Sequence, residues 1–530
     1  MHLLNITNID YFLMTILFGV VVAVAYYFRR KNVTSGNYLV AEQYKVGKFG
    51  IFLGAMSVGL PEFIVLSSLG AYLGISFFWI IIPVYLFSIV VYEYFITKTN
   101  LFDIVTQATK SSLHSRFLLI LYAAFMLLVA GAAIMVMVTL FKSLLGWEFG
   151  NSTLSLMALI AISLLIGGVI SVWYNQSWIA LVYLGLVVLS IILGVMNVGV
   201  ANIGYNLQQV AISNKLNPDI FINPLCKPQL IWLLFVVCGI LFIINPMTYL
   251  RYKKLNVTAT SKKFIYRLVQ LVIIVGIAFI GVMALATPSN QPQLSNGNKI
   301  ITQQTRLDDG SIGYVVKAVN SNAPTQQKGL IPLLVNSQSQ VSDIDTPQAD
   351  FDYASAGFVF VKNVLPYAFV SLFIIVLLFF KTISETISFA TIASIRGIYA
   401  PYYNKTKEDL ENLWAARVFM FMFFVIAICI GLVFYKFFDF YYVGALLIIF
   451  AMPLLMNLIG LGVSWIIDVF VLLLISASLT CVNINGVPSL LALIPFANIW
   501  NFITVVTSTI VGFYIIVSIL SKLFKVGARV

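Results

Sequence analysis

The chain has 530 residues, of which 61% are hydrophobic and only 9% charged, where a soluble domain is about one-quarter charged. Its apolar residues come in runs of roughly 18 or more, long enough to cross a ~30 Å hydrocarbon core as helices, and the ~10-residue alternating strands of a membrane barrel are absent. The net charge of +12 does not mark a nucleic-acid binder, because the basic residues cluster at the ends of the apolar runs, where they act as topology signals.

In chain order the spans fall near 10–28, 49–74, 77–97, 117–141, 153–173, 177–200, 229–248, 266–286, 363–395, 413–435, 440–459, 462–481 and 497–521. The class is therefore an all-α integral membrane protein with about thirteen transmembrane helices. Arg29, Arg30 and Lys31 follow the first span, and Arg251, Lys253, Lys254, Lys262 and Lys263 fall between the seventh and eighth. This crowding of positive charge sets the N-terminus outside and the C-terminus in the cytoplasm. Residues 287–361, rich in Asn, Gln, Ser, Asp and Pro, make an external polar loop, read either as a tolerated surface insertion or as a lid over an external vestibule.

Catalytic chemistry is not in view. Four cysteines without a CxxC spacing and two histidines outside any motif point to no disulfide framework and no metal centre. No His/Ser/Asp cluster or phosphate-binding loop is present, so neither an enzyme nor an organic cofactor is expected. Partners are a small-molecule solute and the lipid bilayer.

Ionisable residues inside spans are costly and mark function by default. They are Glu62, Lys381, Glu385 and Asp468. Lys381 is about fifteen residues, or ~22 Å of helix, from Arg396 at the inner end of its span, too far for its stem to reach water. Its ammonium needs a cavity or an acid, and Glu385 lies four residues on, along the same face. Asp468 is expected to be capped by a polar neighbour such as Asn457 or Ser464. Span 2 carries Gly59 and Pro61 at its centre, and span 7 carries Gly239 and Pro246. Matched Gly/Pro interruptions in two halves of a chain point to a site at mid-membrane, since unwound backbone is tolerated only in a cavity or buried in protein.

Four stretches resemble the sodium/solute symporter family, which includes the sodium/glucose and sodium/proline symporters. They are Asn37-Tyr38-Leu39-Val40-Ala41 with Gly47 and Gly70-Ala71-Tyr72-Leu73-Gly74; Gly167-Gly168-Val169-Ile170-Ser171-Val172-Trp173; Asn245-Pro246-Met247-Thr248-Tyr249-Leu250-Arg251; and Arg396-Gly397-Ile398-Tyr399 with Arg417. The resemblance implies two inverted five-helix repeats whose first helices, spans 2 and 7, are interrupted. The chain then divides into 1–48 (first span and cytoplasmic loop), 49–200 (first repeat), 201–459 (second repeat, with loop 287–361) and 460–530 (two C-terminal helices and tail).

By the same resemblance, Glu62, Ser57, Phe63 and Asn245 are expected at the substrate pocket. The family's sodium contacts fall on the carbonyls of Met56 and Gly59 and on the side chains of Lys381 and Thr382. A lysine ammonium has no acceptor for a cation, so it would replace the ion. Two further departures agree: Gln176 and Gly397 stand where the family has Asp. The expected function is a secondary transporter of a small polar solute by alternating access, in a bacterial cytoplasmic membrane. Coupling to Na+ is doubtful: the expectation is sodium-independent transport, or coupling to H+ through protonation of Lys381, with Lys381, Thr382, Glu385, Met56 and Gly59 as the ion-site and coupling residues. A conventional sodium symporter and a transporter-like sensor are the alternatives. The solute class stays open among sugars, amino acids, amines and organic cations.

Overall fold

The computed structural model describes residues 8–30, 34–42, 44, 48–94, 110–140, 154–213, 245–256, 260–286, 295–296, 299–306, 312–318, 353–366, 369, 382–404, 408–438, 440–462, 464–484, 493–496 and 499–527. Among these, six helices are long and apolar enough to cross a membrane, and a seventh crossing is a pair bent by 68°. The helices are α1 (Asn8–Arg29), α2 (Ser35–Val40), α3 (Leu60–Leu73), α4 (Phe78–Tyr94), α5 (Leu113–Leu140), α6 (Leu154–Val198), α7 (Val200–Ser213), α8 (Pro246–Asn256) and α9 (Thr260–Ala286). They continue with α10 (Tyr353–Val364), α11 (Ser384–Ser394), α12 (Asp409–Phe437), α13 (Phe440–Leu458), α14 (Trp465–Cys481) and α15 (Ile499–Gly527). A 3-10 segment, Lys48–Ser57, precedes α3, and a π-helical turn, Ile395–Tyr399, follows α11.

Lipid and protein interior are equally apolar, so helices associate through close packing at small residues rather than through amphipathicity. The centre of the bundle shows this. At Gly70 and Gly281 a Cβ would run into the backbone carbonyls of Ala278 and Ser67, so α3 and α9 approach as only glycine allows. Helix α12 turns Ala416, Met420, Phe424, Ala427 and Gly431 inward at helical spacing, largely against α5. Its opposite face leaves Phe421, Met422, Val425 and Leu432 exposed for lipid.

Two expectations need correction. The spans expected at 153–173 and 177–200 leave a break at Tyr174, Asn175 and Gln176. The chain instead runs helically through them and breaks at Gly168 (φ 61°, ψ −170°), a left-handed conformation that suits glycine. The break leaves helix-end carbonyls without their usual donors. Tyr38 of α2 supplies one: its hydroxyl donates to the carbonyls of Leu164 and Leu165, at 3.2 and 3.1 Å. Asn175 and Gln176 are buried, Asn175 donating to the carbonyl of Val21 on α1. Secondly, the end of the polar loop 287–361 is not surface. Its last residues belong to α10, whose Phe358, Phe360 and Val361 are buried against α3 and α9, so the span expected at 363–395 is preceded by a separate packed helix.

The strands are minor. Ser295–Asn296, Lys299–Arg306 and Ile312–Ala318 (β1–β3) form one antiparallel sheet within the loop. Val482–Ile484 and Ile494–Phe496 (β4 and β5) pair in parallel between α14 and α15.

Candidate functional site

The interruption predicted at Gly59 and Pro61 is present. Gly59 is the N-cap of α3, Leu60 and Pro61 open the helix, and Glu62 occupies its third position. A helix start exposes N–H groups that lipid cannot satisfy. Here two of these donors are met by side chains. The Gly59 N–H donates to the Glu62 carboxylate at 2.9 Å. The Leu60 N–H donates to the Thr382 hydroxyl at 3.2 Å. Pro61 has no N–H to satisfy. The negative charge of Glu62 also sits where the helix dipole favours it.

Thr382 thus carries the chain leading into α11 to the break, 322 residues away in sequence. Met56, Gly59 and Thr382, expected together, lie around one junction. Ser57 is buried, its hydroxyl donating to the Gly54 carbonyl at 2.7 Å. Phe63 is fully buried with its ring 4.7 Å from that of Phe358 on α10, so it faces helix packing. Asn245 starts α8: its side-chain oxygen accepts from the N–H groups of Met247 and Thr248, at 3.0 and 3.3 Å, with Pro246 in the first helical position. Lys381 and Gly239 lie outside the described residues.

Glu385 is buried. Arg251 of α8 forms an ion pair with it, and the same Nη2 donates to the side-chain oxygen of Gln176 on α6. Both charged side chains are nearly sealed, with 1% and 3% of their surface exposed. Tyr266 of α9, fully buried, is within electrostatic reach of both. One guanidinium therefore ties together three elements far apart in the chain: the second half of α6, α8 and α11. Sequence reasoning grouped Arg251 with the basic residues that set topology. The signal that distinguishes it is its place in Asn245–Arg251, one and a half turns after a proline-initiated helix start.

Closer to one end of the bundle a second set of polar contacts closes the helices together. Arg396 pairs with Glu42 at 2.9 Å, the Ser35 N–H donates to Asp409 at 2.7 Å, and the Tyr399 hydroxyl donates to Glu411 at 2.7 Å. Asp468 is capped by Asn457, as expected, at 3.0 Å, and also by Tyr514.

No protein-family model matches this chain, and no curated protein matches it in sequence. In fold it is similar to a solved sodium-coupled sialic acid symporter, captured substrate-bound and outward-open with a novel sodium site. That likeness has a TM-score of 0.63 at 14% identity and covers 97% of this chain and 98% of the other. The two chains thus share a helical membrane-protein fold over essentially their whole length.

Proposed function

We propose that this protein is a secondary active transporter that carries a small polar organic solute across a membrane by alternating access, with protein cations in place of a bound sodium ion. The observation that carries this reading is the contact of Thr382 with the Leu60 N–H at the break of α3. It brings the chain that leads into α11 to an unwound, mid-bundle segment in a fold of symporter type. Lys381 immediately precedes Thr382 in sequence, and its ammonium is a donor with no lone pair to offer a cation. Beyond it, Arg251 already neutralises Glu385. Membership of the sodium/solute symporter family, the N-out orientation and a cytoplasmic-membrane location belong to the same proposal.

Sodium-coupled symport is the second reading, favoured by the coupling of the solved protein that shares the fold. Thermal unfolding of the purified protein in detergent separates the two, with Na+ exchanged for choline at constant ionic strength between pH 5 and 9. A ligand that binds only the native state stabilises it by RT ln(1 + [L]/Kd), about 2.7 kcal/mol at a hundredfold Kd. The expected result is no response to Na+ and a pH-dependent response that Lys381→Met reduces. Stabilisation by Na+ would overturn the resident-cation reading. The same assay, run with a panel of polar solutes beginning with sialic acid, tests for a ligand.

A further inference from the structure

Asp468 lies outside the junction described above, on α14, and its side chain is fully buried. One oxygen, Oδ1, accepts two hydrogen bonds, from the Tyr514 hydroxyl on α15 at 2.6 Å and from the Asn457 amide on α13 at 3.0 Å. The other, Oδ2, has no hydrogen-bond partner among the described residues. It faces Nδ1 of His114 across 3.9 Å, and that nitrogen is buried without a partner as well. The imidazole as a whole is 30% exposed and sits at the first turn of α5. The pair is therefore a sealed carboxylate with a titratable side chain standing between it and water.

The surroundings hold little else that is charged. Helix α5 adds Arg116, whose guanidinium lies over the Tyr402 ring at 4.5 Å, and Tyr122, whose ring meets Phe389 at 6.0 Å. Helix α13 carries no charged residue, and its tyrosines, Tyr441 and Tyr442, are in its opening turn, four turns from Asn457. Helix α14 has no second ionisable side chain apart from its terminal Cys481. Helix α15 brings Tyr514, with Lys522 and Lys525 at least two turns further on.

We propose that His114 and Asp468 form a proton-binding dyad that joins α5 to the three C-terminal helices. The proton comes from the aqueous phase and binds an imidazole ring nitrogen, and no other bond is made or broken. A neutral imidazole protonated only at Nε2 turns a lone pair toward Oδ2. A protonated one presents an N–H there and supplies the opposite charge that a buried carboxylate otherwise lacks. Histidine is the side chain that ordinarily changes charge between pH 5 and 8. Helix α5 also packs on α11 and α12, so a proton held here acts on the same bundle that carries Thr382 and Glu385.

The chain has only two histidines, His2 and His114, which makes the test clean. Isotope-labelled histidine in the full-length protein in detergent is followed by NMR from pH 5.5 to 8.5, alongside the thermal unfolding midpoint. The expected result is one imidazole whose signal changes in Asp468→Asn, and a midpoint that rises on acidification in the wild type. That rise is reduced in His114→Gln, kept in His2→Gln, and reduced no further in the His114→Gln/Asp468→Asn double variant than in His114→Gln alone. Asparagine keeps the acceptor for Tyr514 and Asn457. If Asp468→Asn does not fold, His114→Gln alone decides. A His114 signal unaffected by Asp468→Asn, or a midpoint profile unchanged in His114→Gln, overturns the dyad. Neither readout uses a solute, so the result stands apart from the transport reading.

Discussion

Glu385 and Asp468 are both buried acids on helices of one apolar bundle, yet they are compensated differently. Glu385 has a permanent cation, Arg251, fixed in turn by Gln176. Asp468 has two neutral donors and a histidine just beyond hydrogen-bond distance. A guanidinium does not lose its proton in proteins, so the cation of the first arrangement is permanent. The second depends on whether a proton is present. The difference separates a mechanical tie between α6, α8 and α11 from a chemical one between α5 and α13–α15.

The strongest way to break that comparison is Arg251→Met. Removing one partner of a sealed ion pair leaves the other charge uncompensated and typically costs about 3–5 kcal/mol. The unfolding midpoint in denaturant-titrated detergent should fall accordingly, and Arg251→Met combined with Glu385→Met should recover much of the loss, since an apolar pair of similar size needs no compensation. A loss below about 1 kcal/mol in the single variant would mean that Glu385 has another partner, and the permanent tie would be wrong. Gln176→Leu should be milder, about 1.5–3 kcal/mol, because it takes one charged hydrogen bond from Arg251 and leaves the ion pair.

These residues also show what the sequence does and does not expose. The break at Gly59–Pro61 was legible because glycine and proline act on the backbone locally, whatever surrounds them. The Asn457 cap on Asp468 was legible because a buried acid needs a donor and few were near in the chain. The Arg251–Glu385 pair was not, because 134 residues separate the partners and a basic residue near a span end has a sufficient local explanation as a topology signal. The kink at Gly168 was misplaced for a related reason. Polar Asn175 and Gln176 look like a loop until their partners, Val21 and Arg251, are known. The buried position of α10 was hidden by the polar composition of the segment that leads into it.

On the other side of the comparison, Tyr514→Phe removes the shorter donor to Asp468 and should lower stability by about 1–2 kcal/mol. If the dyad is as described, the loss should be larger at pH 8 than at pH 6, where His114 supplies a second compensating group. Equal losses at both values would place Asp468 with Glu385, as an acid whose environment is fixed.

The smallest effect is expected at the junction itself. Thr382→Val keeps the shape of the side chain but offers a methyl group to the Leu60 N–H, at a cost of about 1 kcal/mol, and Thr382→Ser should restore the contact. Its value lies in combination with Glu385→Gln. Thr382 and Glu385 are three residues apart at the start of α11, one holding the break of α3 and the other held by Arg251. If α11 moves as a unit, loosening either end shifts the other, and the two substitutions should deviate from additivity by more than about 0.5 kcal/mol. Strict additivity would mean that the break and the ion pair are separate fixtures. The tie through Arg251 would then hold the scaffold without acting on the interrupted helix.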